Sequence, residues 1–491
     1  MKDPQISIIG LGPGDRMHLT LRAWDVISRT PELYLRTARH PILDQLPASV
    51  SVISFDDIYE ENDSYEAIYA EIVERIVALG SRDMGVVYAV PGHPFVAEAT
   101  VPAIIKRASD KGLSVEVIDG LSFIEPTLTL LGVDPFPRTS IVDAFELAVS
   151  HFPFFPPDAP ALIAQIHSSM IASEVKLVLM EVYPDDHGVM LVHNAGTKEA
   201  RIESIRLFEI DRSEYLGMTS SLFIPALPEG SSFESFQNLI AHLRAPDGCP
   251  WDREQTHLTL RPFLLEEAYE VLNALDKEDS QALKEELGDL LLQIVLHVQI
   301  ASEEGDFKMP DVLREIHEKL VRRHPHVFGD LRISNKEQVL ENWEHLKALE
   351  RVKKGKKGSG ILDTVDTALP ALAQAQSLQR LAALVGFDWP SIEGVIEKIR
   401  EELGELLQAE DYAARDAELG DLLFSVVNLS RWWEIDAESA LRSANSRFKQ
   451  RFGLIESAAR ESGKDLSQLS LEEMDEIWNR AKDIHQPSEG E

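Results

Sequence analysis

The chain has 491 residues, 44% of them apolar, which is enough for about three globular domains with buried cores. Its 83 acidic and 48 basic residues give a net charge of −35, which argues against binding to the phosphate backbone of nucleic acids. A single cysteine, Cys249, excludes disulfides within the chain, and neither a leader-like segment nor an apolar run of membrane-spanning length stands out. We therefore expect a cytoplasmic protein with no membrane or nucleic-acid partner.

Short β-branched runs alternate with helical patterns in the first part of the chain, which predicts an α/β domain with two lobes. The predicted strands lie at residues 6–9, 85–90, 115–118, 162–166, 176–182 and 221–224. The first three end in glycine-containing loops, and ligands bind at the carboxyl ends of strands in an open parallel sheet. The candidate cofactor-binding residues in these loops are Gly10, Gly12, Pro13, Gly14, Asp15, Gly92, His93, Pro94, Gly120 and Ser122. The alternative is that the glycines only make tight turns.

These loops also carry a family resemblance. GLGPGD at 10–15, PGHP at 91–94, DGLSF at 119–123, MEVYPDDHGV at 180–189 and SLFIPALP at 221–228 resemble the tetrapyrrole (corrin/porphyrin) methylase family. The resemblance covers about residues 3–228 of a predicted domain at 1–228, and it implies two α/β lobes that bind S-adenosylmethionine as cofactor between them. His93 stands where the family more usually has aspartate, which removes a carboxylate near the expected cofactor.

After a linker at 225–232, two helical patterns carry closely spaced acids on either side of a short polar turn. Glu267 and Glu270 share one helix face, and Glu286 and Asp289 share another. Apolar residues flank the acids and are expected to face the core: Leu264, Leu265, Val271, Leu272, Leu287, Leu290, Leu291 and Ile294. Partly buried like charges are costly unless a cation lies between them, and Mg²⁺ suits oxygen ligands. The alternative is that the acids are solvated surface residues.

The acidic pattern occurs a second time, which indicates an internal repeat. ELGDLL at 286–291 is matched by ELGDLL at 418–423, and the second acid set is Glu402, Glu405, Glu418 and Asp421. The offset is 135 residues at the first acids and 132 at ELGDLL, which a loop shortened by three residues explains. We predict all-α helical repeats at 232–350 and 361–485, joined by a basic, glycine-rich linker at 351–360 that is flexible and solvated.

The helical half resembles a second family. GCPWD at 248–252, EEAYE at 266–270, EELGD at 285–289 and RRHPHVFGD at 322–330 closely resemble MazG-type nucleoside triphosphate pyrophosphohydrolases, and ELGDLL and ANSRFKQRF at 444–452 extend this to the second repeat. The resemblance implies that the chain converts nucleoside triphosphates to monophosphate and pyrophosphate, and so cleanses the nucleotide pool. It also implies that Mg²⁺ is held by Glu267, Glu270, Glu286, Asp289, Glu402, Glu405, Glu418 and Asp421.

Basic and aromatic residues recur at matching places in the two repeats. Each repeat has two basic residues four positions apart, and a tryptophan followed by a lysine recurs at an offset of 135. With the tryptophan of GCPWD, the substrate-binding candidates are Trp251, Lys319, Arg323, Trp343, Lys347, Arg447, Arg451, Trp478 and Lys482. We interpret them as phosphate and base contacts; a solvated basic face and core tryptophans are the alternatives.

Three outer acids are candidates for positioning or deprotonating the attacking water, on the basis of adjacency alone: Glu266, Glu285 and Glu401. Two other functions remain open, a methyltransferase with a helical dimerisation appendage and a non-catalytic nucleotide sensor. The eight spaced acids argue against both, because a scaffold does not need such repulsion. Amphipathic helices with acids at their centre favour a homodimer, although the two repeats could instead pair within one chain.

Overall fold

The computed structural model describes residues 4–61, 64–332, 335, 338–339 and 360–484. The chain divides into two compact units, Met1–Glu254 and Gln255–Glu491. The first unit therefore includes residues 232–254, which the sequence assigns to the first helical repeat. The division into regions 1–228, 232–350, 351–360 and 361–485 stays a prediction, and residues 351–359 of the linker lie outside the described residues.

The first lobe is a parallel sheet covered by helices, as the sequence predicts. Its strands are β1 (Ile6–Gly10), β2 (Glu32–Leu35), β3 (Ser51–Ser54), β4 (Val86–Val90) and β5 (Val115–Ile118), in the order β3-β2-β4-β1-β5. Its helices are α1 (Leu21–Arg29), α2 (Asp56–Glu61), α3 (Tyr65–Gly80), α4 (Thr100–Asp110) and α5 (Ile124–Leu131). Ile8 and Ile9 enter separate apolar clusters because successive residues of a strand face opposite sides of the sheet. The sequence of a central strand that is buried on both faces is a continuous apolar run.

The second lobe is a mixed sheet. Its strands are β6 (Ser140–Asp143), β7 (Ala161–Ala164), β8 (Gly188–His193), β9 (Arg201–Arg206) and β10 (Ser221–Ile224), in the order β6-β7-β10-β8-β9. Its helices are α6 (Ala144–Ala148) and α7 (Ser169–Met180). The strand predicted at 176–182 is wrong, because most of that segment belongs to α7. A short apolar run does not distinguish a strand from a buried helix, and here Val175, Val178 and Leu179 are buried at helical spacing.

Two further helices close the first unit, α8 (Phe233–Arg244) and α9 (Pro250–Glu254). Ser232 caps α8 by accepting a hydrogen bond from the Ser235 backbone N–H at 3.1 Å. The Ser235 hydroxyl donates to Asp158, a buried carboxylate of the second lobe. The bond to Asp158 fastens α8 to the second lobe.

The second unit is helical throughout its described secondary structure. Its helices are α10 (His257–Asp276), α11 (Ser280–Glu304), α12 (Met309–Arg323), α13 (Pro325–Phe328), α14 (Ala371–Leu384), α15 (Ile392–Gln408), α16 (Tyr412–Trp432), α17 (Ala437–Glu461) and α18 (Leu471–Ile484). In each repeat a three-residue turn joins the two acid-bearing helices, α10 to α11 and α15 to α16, which makes antiparallel neighbours. Asp279 and Asp411 cap the second helix of each pair. An α/β region followed by a helical region is the fold class predicted from the sequence, and it is confirmed.

The two repeats differ after their acid-bearing helices. Helix α12 ends at Arg323, because Pro325 disfavours a helical conformation at His324, where φ is −119° and ψ is 56°. The corresponding α17 has no proline and runs on to Glu461. An ion pair also joins the repeats: Arg442 Nε on α17 lies 2.7 Å from Asp276 Oδ2 at the end of α10.

Several apolar residues expected in the core of the first repeat are exposed instead. Leu265 is 58% exposed and Ile294 is 42% exposed, and Leu287 and Leu291 are also exposed. An apolar stripe shows which face of a helix is hydrophobic, but it does not show what covers that face. Among the described residues, no helix is both long enough and apolar enough to cross a membrane.

Candidate metal and cofactor sites

The first repeat gathers its acids at the middle of the α10–α11 pair. Ligand oxygens of Glu267 and Glu270 on α10 and of Glu286 on α11 all lie within 4.8 Å of one another. Three-residue spacing places the acids of each helix on one face, and the short turn brings the two faces together. Asp289 belongs to the same group, because its charge raises the pKa of both Glu267 and Glu286.

Neighbouring carboxylates dominate the electrostatics of this first cluster. Burial, followed by the charges of Asp289 and Glu270, raises the pKa of Glu267 above its ordinary value. Burial, followed by Glu270 and Glu285, does the same for Glu286. An all-oxygen set of mutually repelling carboxylates fits a hard divalent cation, which would remove the repulsion.

The second repeat builds the same arrangement from α15 and α16. Ligand oxygens of Glu402, Glu405 and Glu418 lie within 4.8 Å of one another. Burial raises the pKa of Glu418, and the charges of Glu405, Glu402 and Asp421 add to this effect. Glu402 is only 5% exposed, so this carboxylate is more enclosed than Glu267.

The second cluster contains a lysine that the sequence reasoning missed. Lys398 Nζ lies 2.7 Å from Glu402 Oε1 and 2.9 Å from Glu401 Oε1. Lys398 stands one helical turn before Glu402, a spacing visible in the sequence but shared by many solvated helix pairs. Glu401, predicted to position water, is therefore tied to an ammonium, whereas Glu266 and Glu285 are exposed beside the first cluster.

Two of the predicted substrate-binding residues, Arg451 and Trp478, lie next to each other in the second repeat. The guanidinium carbon of Arg451 lies 5.7 Å from the centre of the Trp478 ring, and the Phe448 ring centre lies 5.2 Å from that of Trp478. Arg451 Nε is buried and has no hydrogen-bond partner among the described residues. Arg447 is exposed one turn earlier, and Lys482 Nζ donates to Asn479 Oδ1 at 3.2 Å one turn after Trp478.

The other substrate candidates are more dispersed. Lys319 and Arg323 are half-buried on α12. Trp343 and Lys347 lie outside the described residues. Trp251 is 55% exposed on α9 and belongs to the first unit. The nucleotide-binding role of all these residues stays a prediction.

Three of the predicted cofactor loops pack against one another at the carboxyl edge of the first sheet. Gly12 N–H donates to Gly92 O at 3.2 Å, and Gly92 N–H donates to Gly12 O at 2.9 Å. A Cβ on Gly10 would lie 2.6 Å from both Gly120 N and Gly92 O, so only glycine fits there. The loops after β1, β4 and β5 thus form one continuous backbone surface.

The rest of the first loop reaches the second lobe. A Cβ on Gly14, whose φ is +148°, would lie 3.1 Å from Thr197 Cγ2 in the second lobe. The ring of Pro13 lies against Gly196 in that lobe. Asp15 accepts a hydrogen bond from Met17 N–H at 2.8 Å and so begins a short 3₁₀ helix, Arg16–His18. The first loop therefore lies where the two lobes meet.

The second and third loops place side chains beside this edge. His93 Nδ1 accepts a hydrogen bond from Phe95 N–H at 3.1 Å, and its Nε2 lies 3.7 Å from Asp119 Oδ1. A carboxylate from the third loop therefore lies near the position where His93 removes one. Pro94 is buried, and the buried Ser122 hydroxyl donates to Glu125 at 2.5 Å.

His40 supports the first loop and is expected to make this region pH-sensitive. Its Nε2–H donates to Gly12 O at 3.0 Å, and its Nδ1 accepts from Ile42 N–H at 3.3 Å, so the bonded ring is neutral. Burial lowers the pKa of His40 below its ordinary value. The unfolded chain therefore binds a proton more readily, and this contribution to stability is present above about pH 6.5 and lost as the pH falls below it.

We expect hydrogen exchange of peptides covering residues 5–45 to lose protection between pH 7.5 and pH 5.5, after correction for the intrinsic pH dependence of exchange. A His40→Gln variant removes the titrating ring, so its protection is expected to change less over the same interval. An equal change in both proteins would contradict the assignment to His40.

Comparisons with known proteins agree with this two-part organisation. A family model described as tetrapyrrole (corrin/porphyrin) methylases matches residues 5–211, and one described as a MazG nucleotide pyrophosphohydrolase domain matches residues 255–328. The chain is 42% identical over 493 residues to the protein YabN of Bacillus subtilis, with 99% of each chain covered.

The helical half has further relatives. The chain is 48% identical over 253 residues to the nucleoside triphosphate pyrophosphohydrolase/pyrophosphatase MazG of Thermotoga maritima, which covers 52% of this chain and 96% of the relative. It is 43% identical over 250 residues to the nucleoside triphosphate pyrophosphohydrolase of Escherichia coli K12, and the match covers 50% of this chain and 94% of the relative.

A solved structure is similar as well. Uroporphyrin-III-C-methyltransferase from Thermus thermophilus aligns with 45% of this chain and 94% of its own chain, at 18% identity and with a TM-score of 0.37.

Proposed function

Because this chain belongs to the family of the Bacillus subtilis protein YabN and joins a tetrapyrrole methylase domain to a MazG nucleotide pyrophosphohydrolase domain, we propose that it hydrolyses nucleoside triphosphates to monophosphate and pyrophosphate. The observation that carries the proposal is the repeated gathering of three carboxylates within 4.8 Å. Two such clusters in one chain are costly without a cation, which argues for a metal-dependent enzyme over a scaffold. Clearing unwanted nucleotides from the cell is the role we attach to this reaction.

The eight acids of the two clusters are the proposed Mg²⁺ ligands. When bound, Mg²⁺ supplies neutralisation of phosphoryl charge and a water of lowered pKa. Glu266 and Glu285, which are exposed beside the first cluster, would accept a proton from the attacking water. In the second repeat the Nε of Arg451, which is buried and has no hydrogen-bond partner in the described part of the chain, would donate a hydrogen bond to a phosphate oxygen. Trp478 would be the surface on which a base stacks.

The α/β half is proposed to bind S-adenosylmethionine at its glycine loops. The close packing of Gly10, Gly92 and Gly120 joins the loops at the carboxyl edge of the sheet, where ligands bind in open parallel sheets. Asp119 and His93 supply polar side chains at that edge. A methyltransferase with the helical half as an appendage is the alternative function, and these loops are the observation that favours it.

A homodimer is the proposed assembly. Exposed apolar residues continue from α10 and α11 onto α12, where Leu313, Ile316 and Leu320 are exposed as well. Apolar faces of this kind usually meet a partner surface, and a second copy supplies the same face by two-fold symmetry. Sedimentation velocity on the full chain tests this assembly.

The function is tested by product analysis on the eight standard nucleoside triphosphates with Mg²⁺. We expect monophosphate and pyrophosphate from the wild type, less from Glu286→Ala or Glu418→Ala, and none from the double variant. Diphosphate and phosphate as products, or full activity in the double variant, would overturn the proposal. Binding of S-adenosylmethionine without cleavage of any triphosphate would favour the methyltransferase alternative. The Glu315→Gln variant serves as the control, because Glu315 on α12 is an exposed carboxylate outside both clusters.

A further inference from the structure

Among the residues that the structure describes, the two acid clusters differ in charge at two positions: Lys398 is found in the second cluster, and Glu285 of the first repeat is replaced by Ala417. In the second repeat Lys398 lies one turn before Glu402 on α15, and its ammonium lies 2.7 Å from the Glu402 carboxylate. In the first repeat the residue one turn before Glu267 on α10 is Phe263, which carries no charge. The four candidate ligands of each cluster are of the same residue types, with the same three-residue spacing within each helix. The repeats therefore offer a cation two different electrostatic environments.

The ammonium has two carboxylate partners. It contacts Glu401 Oε1 at 2.9 Å as well, so two carboxylates share it. Glu402 is 5% exposed, and a buried carboxylate needs a positive partner more than an exposed one does. The charge of Lys398 also reaches across to α16, where it lowers the pKa of Glu418 against the effect of the other acids. In the first cluster, the charges that raise the pKa values of Glu267 and Glu286 are those of neighbouring carboxylates.

We propose that Lys398 is a built-in counter-ion that competes with the divalent cation, so that the first repeat binds metal tightly and the second repeat binds it only at higher metal concentration. The inference rests on the proposed function insofar as both clusters bind a divalent cation. It adds an order of filling and a residue that sets it. A cation entering the second cluster must displace an ammonium from Glu402, whereas a cation entering the first cluster relieves repulsion among carboxylates.

The lysine side chain is suited to this role. Its ammonium sits on a flexible four-carbon stem, so it can leave Glu402 without any movement of the helix. Its other partner, Glu401, is exposed and can keep the ammonium near the surface after displacement. The second repeat would then respond to metal over a separate concentration range, which gives one chain two thresholds for metal.

The test is a titration of the full-length, metal-free chain with Mn²⁺. Binding is measured by calorimetry and by the loss of the electron paramagnetic resonance signal of free Mn²⁺. Glu286→Ala and Glu418→Ala assign each class of site to its repeat. We expect the wild type to show a tighter class in the first repeat and a weaker class in the second. Lys398→Met is expected to tighten the second class by about tenfold or more, and Phe263→Lys to weaken the first class similarly.

Lys464→Met is the matched control, because Lys464 forms an ion pair of 2.9 Å with Glu473 outside both clusters. This variant is expected to leave both classes unchanged. The melting transition of Lys398→Met shows that this variant is folded. Its melting temperature without metal is expected to lie below that of the wild type, and Mn²⁺ is expected to raise that temperature by more than it does in the wild type.

Equal affinities of the two classes in the wild type, or an unchanged second class in Lys398→Met, would overturn the counter-ion role alone. Failure of Mn²⁺ to bind at either cluster would overturn the metal sites of the proposed function together with this inference. The two failures are therefore distinguishable in one titration.

Discussion

Glu267→Gln is expected to abolish nucleotide hydrolysis by the first repeat while raising the melting temperature of the metal-free protein. Glu267 lies at the centre of the first cluster, where Asp289, Glu270, Glu266 and Glu286 all raise its pKa after burial does. Glutamine keeps the shape of the side chain and removes its charge. The same change thus relieves repulsion in the absence of metal and removes a ligand in its presence.

The loss of activity is expected to be large. A bound divalent ion contributes several kcal/mol of transition-state charge stabilisation, so its displacement lowers hydrolysis by at least about 100-fold. The measurement is pyrophosphate release in a Glu418→Ala background, in which the second repeat no longer contributes. Melting temperatures are compared in EDTA and in Mg²⁺, and the Mg²⁺-induced rise assigned to the first repeat is expected to disappear.

Glu315→Gln removes an exposed carboxylate on α12 and is expected to change neither quantity. A lower melting temperature of Glu267→Gln in EDTA would mean that Glu267 stabilises the metal-free chain. Such a result would contradict the repulsive cluster described here.

Gly10→Ala is expected to unfold the glycine loops of the first sheet and to remove binding of S-adenosylmethionine. A Cβ at this position would lie 2.6 Å from Gly120 N and 2.6 Å from Gly92 O, both of which are backbone atoms. Backbone cannot rotate away as a side chain can, so the three loops must separate. Overpacking usually costs 1–3 kcal/mol, and we expect about 3 kcal/mol here because no flexible atom can yield.

The measurements are the unfolding transition of the α/β half and calorimetric binding of S-adenosylmethionine to the full chain. Gly188→Ala in the same unit is a matched control, since a Cβ there meets nothing within 4 Å. It is expected to leave both stability and binding unchanged. Normal stability of Gly10→Ala would contradict the close packing of the loops, and normal binding would place the cofactor elsewhere.

The acid clusters were predictable because helix periodicity alone decides which residues share a face. Three-residue spacing in α10 and α15 and a short turn after each are enough to gather Glu267 with Glu286, and Glu402 with Glu418. The parallel first sheet was predictable for a similar reason, since a buried run such as β1 ending in glycine is distinctive.

Other features depend on tertiary contacts that no local pattern reports. Lys398 and Glu402 stand at the ordinary spacing of a solvated ion pair, and only the burial of Glu402 makes the pair unusual. The local sequence of the segment at 176–182 is compatible with either a strand or a helix. Most of it is helical in α7, whose buried residues lie on one helix face. Leu265 was expected in the core and is exposed. Periodicity shows that Leu265 lies on the apolar face of its helix, but it does not show whether another surface covers that face.

The ion pair between Arg442 and Asp276 has a consequence for how the two repeats respond to dilution. Its partners belong to one chain, so the chain itself sets the effective concentration at which they meet. Contacts between the two copies of the proposed homodimer would depend instead on the protein concentration in solution. Dilution is therefore expected to separate the two copies of the proposed homodimer while each copy keeps the contact between its repeats.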